Sequence, residues 1–148
     1  IGISYYHLGD FKQSAKWLQR ALVVNQSDSE ALSLLGTVYL KTGEGDDIAS
    51  KLCERSVELE PDNPEYIIRY AHTLTASKQT EKALDLLKSC TRYKSFRADA
   101  WLEMAIIHHL NGDIRTSGRY LKKIFNAKTA APNVLERAKK LQASLAKR

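Results

Sequence analysis

Small residues recur along this chain at a spacing that a single irregular core would not produce. Gly2, Gly36, Ala71 and Ala105 stand 34, 35 and 34 residues apart. A fixed period of that length marks a stack of short supersecondary units, each too small to bury its own apolar face. Three residues after each comes a larger side chain: Tyr5, Tyr39, Leu74 and His108. The small residue lets two antiparallel helices approach, and the larger one, about a turn on, fills the space beside it. Gly9, Gly43 and Gly112 follow seven residues behind the small positions, where a first helix must end and a left-handed glycine can cap it. In the third unit that place is held by Lys78, a departure.

A second helix follows in each unit. Ser14, Ala49, Ala83 and Ser117 are its small contact positions. Leu18, Cys53, Leu87 and Leu121 come four residues later, and Ala21, Ser56, Cys90 and Ile124 three after that. Steps of four and three keep each set on one helical stripe. Pro61 closes the second unit, and Asp62-Asn63-Pro64 opens the next helix with cap residues and a proline at its first position. The pattern predicts helix pairs over 1–8/11–24, 29–42/47–60, 64–77/80–93 and 98–111/114–127. One extra residue in the second unit falls at Glu44-Gly45-Asp46-Asp47, a loosened turn. A last amphipathic helix over 132–147 carries the stripe Val134, Leu135, Ala138, Leu141 and Leu145 and is expected to cover the exposed apolar side of the fourth unit.

This combination of period, small contact positions and glycine caps resembles the tetratricopeptide-repeat (TPR) family over essentially the whole chain. The resemblance implies an all-α, right-handed solenoid of about four helix-turn-helix repeats (about 1–28, 29–63, 64–97 and 98–131), forming a single domain over 1–148. The first repeat is truncated, so more chain is expected ahead of Ile1. Within the family, Gly2-Ile3-Ser4, Tyr39-x-Lys41-Thr42-Gly43, Glu54-Arg55-Ser56 and Pro61-Asp62-Asn63 are similar to the magnetosome-associated members. That similarity implies a cytoplasmic scaffold that self-assembles at a membrane and recruits other proteins. A chaperone for a secretion or pilus-assembly substrate is the competing reading.

In such a solenoid the first helix of each repeat lines the concave side. The residues left over from packing there are Ile3, Tyr6 and His7; Ser33, Thr37, Leu40 and Lys41; Ile68, Arg69, His72 and Thr75; and Leu102, Ile106 and His109. This mixture of aliphatic, aromatic, His and hydroxyl groups suits an extended peptide or a partner helix better than a small metabolite. The bland alternative is a groove that is merely solvated. Some TPR domains grip a C-terminal carboxylate with Lys and Asn on successive first helices. Leu34 and Glu65 occupy two of those places and only Arg69 fits, so that clamp is not expected.

Charge is unevenly placed. The chain carries a formal +6, yet Asp113 to Arg148 alone holds ten Lys and Arg, including Arg115, against Asp113 and Glu136. Arg119, Lys122, Lys123, Arg137, Lys139 and Lys140 form the expected basic docking surface for an acidic protein face or an anionic membrane, the alternative being a solvated outer face. Another copy of the chain is a further candidate, because Asp10, Asp28, Glu30, Glu44, Asp46 and Asp47 cluster in the first half. Nucleic acid is disfavoured, since few exposed aromatics interleave with these cations.

Chemistry-bearing motifs are missing. There is no Gly-rich phosphate loop, no H-E-x-x-H and no Ser-His-Asp-like set, so the chain is not expected to be an enzyme or to hold a cofactor. His108 and His109 are adjacent and therefore point about 100° apart on a helix, which with His72 argues for packing or groove roles and against a metal site. Cys53 and Cys90 fall on the packing stripe and read as buried free thiols in a reducing compartment. Trp17 and Trp101 stand where packing needs bulk. A hydrophobic content of 43% and a charged content of 27% fit a globular chain, and no apolar run reaches the ~20 residues needed to cross a bilayer.

Overall fold

A computed structural model describes residues 1–147, and Arg148, one of the cations counted above, lies outside the described residues. Among the described residues the secondary structure is entirely helical: α1 Gly2–His7, α2 Phe11–Val24, α3 Ser29–Thr42, α4 Asp46–Leu59, α5 Pro64–Ala76, α6 Thr80–Cys90, α7 Arg97–Leu110, α8 Ile114–Asn126 and α9 Pro132–Leu145. The chain divides into two compact units, Ile1–Gln79 and Thr80–Arg148.

In the first unit, α1 packs on α2, α2 on α3, α3 on α4 and α5, and α4 on α5. The helix starts follow from side-chain capping. The carboxylate of Asp10 accepts from the Gln13 amide at 3.0 Å, that of Asp28 from Ala31 at 2.9 Å, and the Asn63 side chain from Glu65 at 3.1 Å ahead of Pro64. The start of α4 differs. Gly45 stands at φ 114° before Asp46 and Asp47, which place negative charge at the helix N-terminus; this is the loosened turn expected from the extra residue. The core of α2 and α3 gathers Ala15, Leu18, Ala31, Leu34, Leu35 and Val38, with Tyr6, Phe11 and Tyr39 half-buried against it.

The small positions do what their spacing implied. A Cβ built on Gly36 would lie 2.5 Å from Cys53 Sγ and 2.8 Å from the Ala49 carbonyl oxygen, so α3 and α4 meet at a distance only glycine permits. In the first repeat Ser14 Oγ donates to the Gly2 carbonyl at 2.9 Å, and in the fourth Ser117 Oγ donates to Ala105 at 2.8 Å. The second-helix serines thus tie their own helix to the first helix while filling a small site.

The second unit packs α6 on α7, α7 on α8, and α9 on both α7 and α8. Val134 and Ala138 of α9 are fully buried with Leu102, Ala105, Leu121 and Ile124, and Leu135, Leu141 and Leu145 pack around them. This is the covering role expected of the last helix. Helix α6 stops at Cys90, three residues short of the expected 93. Residues 91–96 form tight turns instead, and Arg97 Nε donates to the Thr91 carbonyl at 2.6 Å.

The turns between paired helices repeat one geometry. Gly9, Gly43 and Gly112 have φ of 78°, 72° and 79°, and Lys78 joins them at φ 61°. The departure in the third repeat is thus in residue type, not in backbone.

Candidate functional site

The expected groove residues fall in both units and are taken unit by unit. In Ile1–Gln79, Thr37, Leu40, Ile68 and Tyr6 are half-buried, and His7, Lys41 and His72 are exposed. Tyr6 packs against Phe11, with ring centroids 5.8 Å apart, and edge-on to His7 at 5.7 Å; the Lys41 ammonium lies 5.8 Å from the Phe11 ring. Phe11 was missed by the sequence reading. It opens α2, and its spacing from the first-helix stripe gives no hint that it stands beneath Lys41.

Ser33 corrects an expectation. Its side chain is fully buried. Its Oγ accepts from Arg69 Nη1 at 3.3 Å, and its carbonyl accepts from Thr37 Oγ1 at 2.9 Å. Arg69 also donates to Glu65 one turn earlier, so its guanidinium is held along the α3–α5 face by two partners.

Leu102 is a second correction. It is fully buried in the α7–α8–α9 core, and Ile106 is half-buried against the same cluster. His109 is half-buried, and its Nδ1 is a buried side-chain nitrogen without a hydrogen-bond partner among the described residues. His108 takes a packing role, stacked on Tyr120 with centroids 5.8 Å apart and with Nδ1 3.3 Å from Asp113.

The basic set separates into groups. Arg137 Nη2 reaches Glu103 at 2.7 Å, and the Glu103 side chain is only 7% exposed, so this cation neutralises a buried carboxylate. Burial pushes the neighbouring Asp99 carboxyl up, although Arg137 opposes it. Lys140 pairs with Glu136 at 2.9 Å, which holds that carboxyl below its ordinary range. Lys123 lies 5.2 Å from the Tyr120 ring and 5.8 Å from Trp101. Arg119, Lys122 and Lys139 are exposed. Arg115, outside the expected set, is exposed on the same side of α8 as Arg119 and Lys122; steps of four and three were the signal that would have found it.

Both thiols are buried, and burial pushes Cys53 up to about 12 and Cys90 to about 11. Among the described residues no three His, Cys, Asp or Glu side chains form a group able to hold a metal ion, and no helix is long and apolar enough to cross a membrane. One hollow of about 390 Å³, which the sequence did not suggest, lies in the first unit, its lining including Ile1, Trp17, Ala21, Val24, Asp28 and Glu30.

No protein-family model matches the sequence, and no curated protein matches it. Solved structures do match in fold. TTC0263, a thermophilic TPR protein of Thermus thermophilus, has a TM-score of 0.81 at 22% identity, over 97% of this chain and 79% of that one. MamA has a TM-score of 0.71 at 17% identity, over 100% and 98%. YrrB, described as a TPR protein with an unusual peptide-binding site, has a TM-score of 0.75 at 20% identity, over 93% and 71%. The period, the paired helices, the repeated left-handed turns and these likenesses agree that the chain has the tetratricopeptide-repeat fold, an all-α solenoid of helix-turn-helix repeats closed by a capping helix.

Proposed function

We propose that this chain is a non-catalytic scaffold that holds an extended segment of another protein against the α3–α5 face of the unit Ile1–Gln79. One observation carries the reading. On helices whose other faces are buried, Thr37, Leu40, Lys41, Ile68 and His72 keep accessible surface beside an Arg69 that two hydrogen bonds hold in place. Half-buried aliphatic groups next to a fixed cation fit a segment with apolar side chains and a carboxylate, on a surface already ordered before binding. The likeness to YrrB, whose description includes a peptide-binding site, supports the same reading by fold.

The test is selection of a random-peptide display library on the purified chain, followed by affinity measurement on Lys41→Glu/His72→Glu. Enriched peptides should lose about tenfold or more on the double variant at unchanged helix content. Peptides that bind both proteins alike, or no enrichment at all, would sink the proposal.

A second reading, self-association, is favoured by charge. The unit Ile1–Gln79 holds eight Lys and Arg against eleven Asp and Glu, whereas the sequence from Thr80 onward holds fifteen against six. Light scattering at low and high salt tests it: salt-sensitive oligomers support it and a salt-indifferent monomer removes it. The magnetosome-associated scaffold, a cytoplasmic or membrane-peripheral location and the secretion or pilus-assembly chaperone are finer readings. A chaperone predicts one-to-one complexes, and membrane association predicts sedimentation with anionic but not neutral vesicles.

A further inference from the structure

Helix α8 carries a line of charge that its packing does not need. Arg115, Arg119 and Lys122 are exposed and fall within about 60° of the helix circumference, over about 10 Å of its length. There is no Asp or Glu anywhere in Ile114–Asn126. None of the three has a carboxylate partner among the described residues, in contrast to Arg55, which meets Glu58 at 2.8 Å, and Lys88, which meets Asp85 at 2.9 Å.

The repeat supplies an internal control. Counting from the small contact position of each second helix, the places of Arg115, Arg119 and Lys122 are held in α6 by Glu81, Asp85 and Lys88. The same packing is therefore compatible with carboxylates at two of the three places. Locally the cations are unfavourable. Arg119 stands four residues after Arg115 and three before Lys122, and like charges at those spacings destabilise a helix. Arg115 also lies in the first turn, at the positive end of the helix dipole.

We infer that this ridge is a docking surface for an acidic helical segment of a partner protein, one presenting carboxylates a turn apart. Charge complementarity along a line favours that occupant. A bilayer would be met by a broad basic plane with apolar groups between the charges, whereas these three cations run in a line along the helix, and Lys123 beside them is held against the Tyr120 and Trp101 rings. Single-stranded nucleic acid needs open aromatic faces to stack on. The rings on this helix, Tyr120 and Phe125, are half-buried, and Tyr120, like Trp101, has the Lys123 ammonium against it. The surface lies on a second helix of its repeat and does not depend on the α3–α5 reading.

The experiment uses a fluorescein-labelled helical peptide with Glu at successive i, i+4 and i+7 positions, followed by anisotropy at low salt. A second peptide of the same composition has its carboxylates spread around the helix. The aligned peptide should bind several-fold more tightly than the spread one. It should weaken about tenfold on Arg119→Glu/Lys122→Glu and several-fold as salt rises past the range where exposed charges are screened. Lys139→Glu and Lys41→Glu/His72→Glu should leave binding unchanged, which separates this surface from α9 and from the α3–α5 face. Equal binding of the two peptides, indifference to the α8 reversals, or tighter ridge-dependent binding of phosphatidylserine vesicles, RNA or a second copy of the chain would each overturn the inference.

Discussion

Lys78 is the residue at which local conformation and local chemistry disagree. Its φ of 61° matches the turn positions filled elsewhere by Gly9, Gly43 and Gly112, and the Gln79 amide closes on the Leu74 carbonyl at 2.8 Å, as Asp10 does on Tyr5 at 3.0 Å. A side chain in the left-handed region is strained by about 1 kcal/mol. Lys78→Gly should therefore raise stability by no more than about 0.5 kcal/mol in urea unfolding, because the added chain entropy of glycine offsets much of the relief; a lower midpoint would show that the lysine makes a contact worth more than the strain. Gly36 is the opposite case. Gly36→Ala pushes a methyl into Cys53 Sγ and the Ala49 carbonyl, and a loss of about 1–3 kcal/mol is expected in the same measurement. Both positions were readable from spacing alone, because a turn needing positive φ and a helix crossing needing no Cβ each leave a residue-type signature at a fixed offset.

At the scale of the helix, spacing was a poorer guide. Ser33 and Leu102 project away from the stripe that meets the second helix, yet both are fully buried. The reason is that α3 packs against α2, α4 and α5, and α7 against α6, α8 and α9. A helix with three neighbours has no single dry face, so one projected stripe underestimates what is buried. Ionic pairs across helices were illegible for a related reason. Glu103 and Arg137 are 34 residues apart, one repeat, but nothing in the local pattern said the carboxylate would be buried. Arg137→Ala should lower stability by about 2 kcal/mol, discounted from a fully buried pair because the arginine side chain is 46% exposed. Glu103→Gln combined with Arg137→Ala should recover part of that loss in thermal melts. The start of α8 adds a pH dependence. The Asp113 carboxyl is held below its ordinary value, chiefly by its hydrogen bonding with Thr116, with His108 adding to it. A lowered folded value means that its contribution is present above the unfolded carboxylate range of about 4 and is lost as pH falls through the folded value. Asp113→Asn keeps the capping oxygen and should flatten that part of the acid limb of the melting-temperature profile; an unchanged limb would place the proton uptake elsewhere.

Across the molecule, charge and burial together make one further prediction. Each compact unit contains one buried thiol, Cys53 in Ile1–Gln79 and Cys90 in the unit from Thr80 onward. With burial holding both far above neutral pH, neither exposes a thiolate to an alkylating reagent until its surroundings open. The units differ in self-repulsion: eight cations against eleven carboxylates in the first, fifteen against six in the sequence from Thr80. A high excess of one sign destabilises a compact state, and salt relieves it. Cys90 should therefore label faster than Cys53 at low ionic strength, and the gap should narrow as salt is raised, read residue by residue by mass spectrometry. The α8 reversal Arg119→Glu/Lys122→Glu removes four units of net positive charge and should slow Cys90 labelling at low salt while leaving Cys53 as it was. Faster labelling of Cys53, or rates indifferent to both salt and the reversal, would mean that packing rather than charge sets which part of the solenoid opens first.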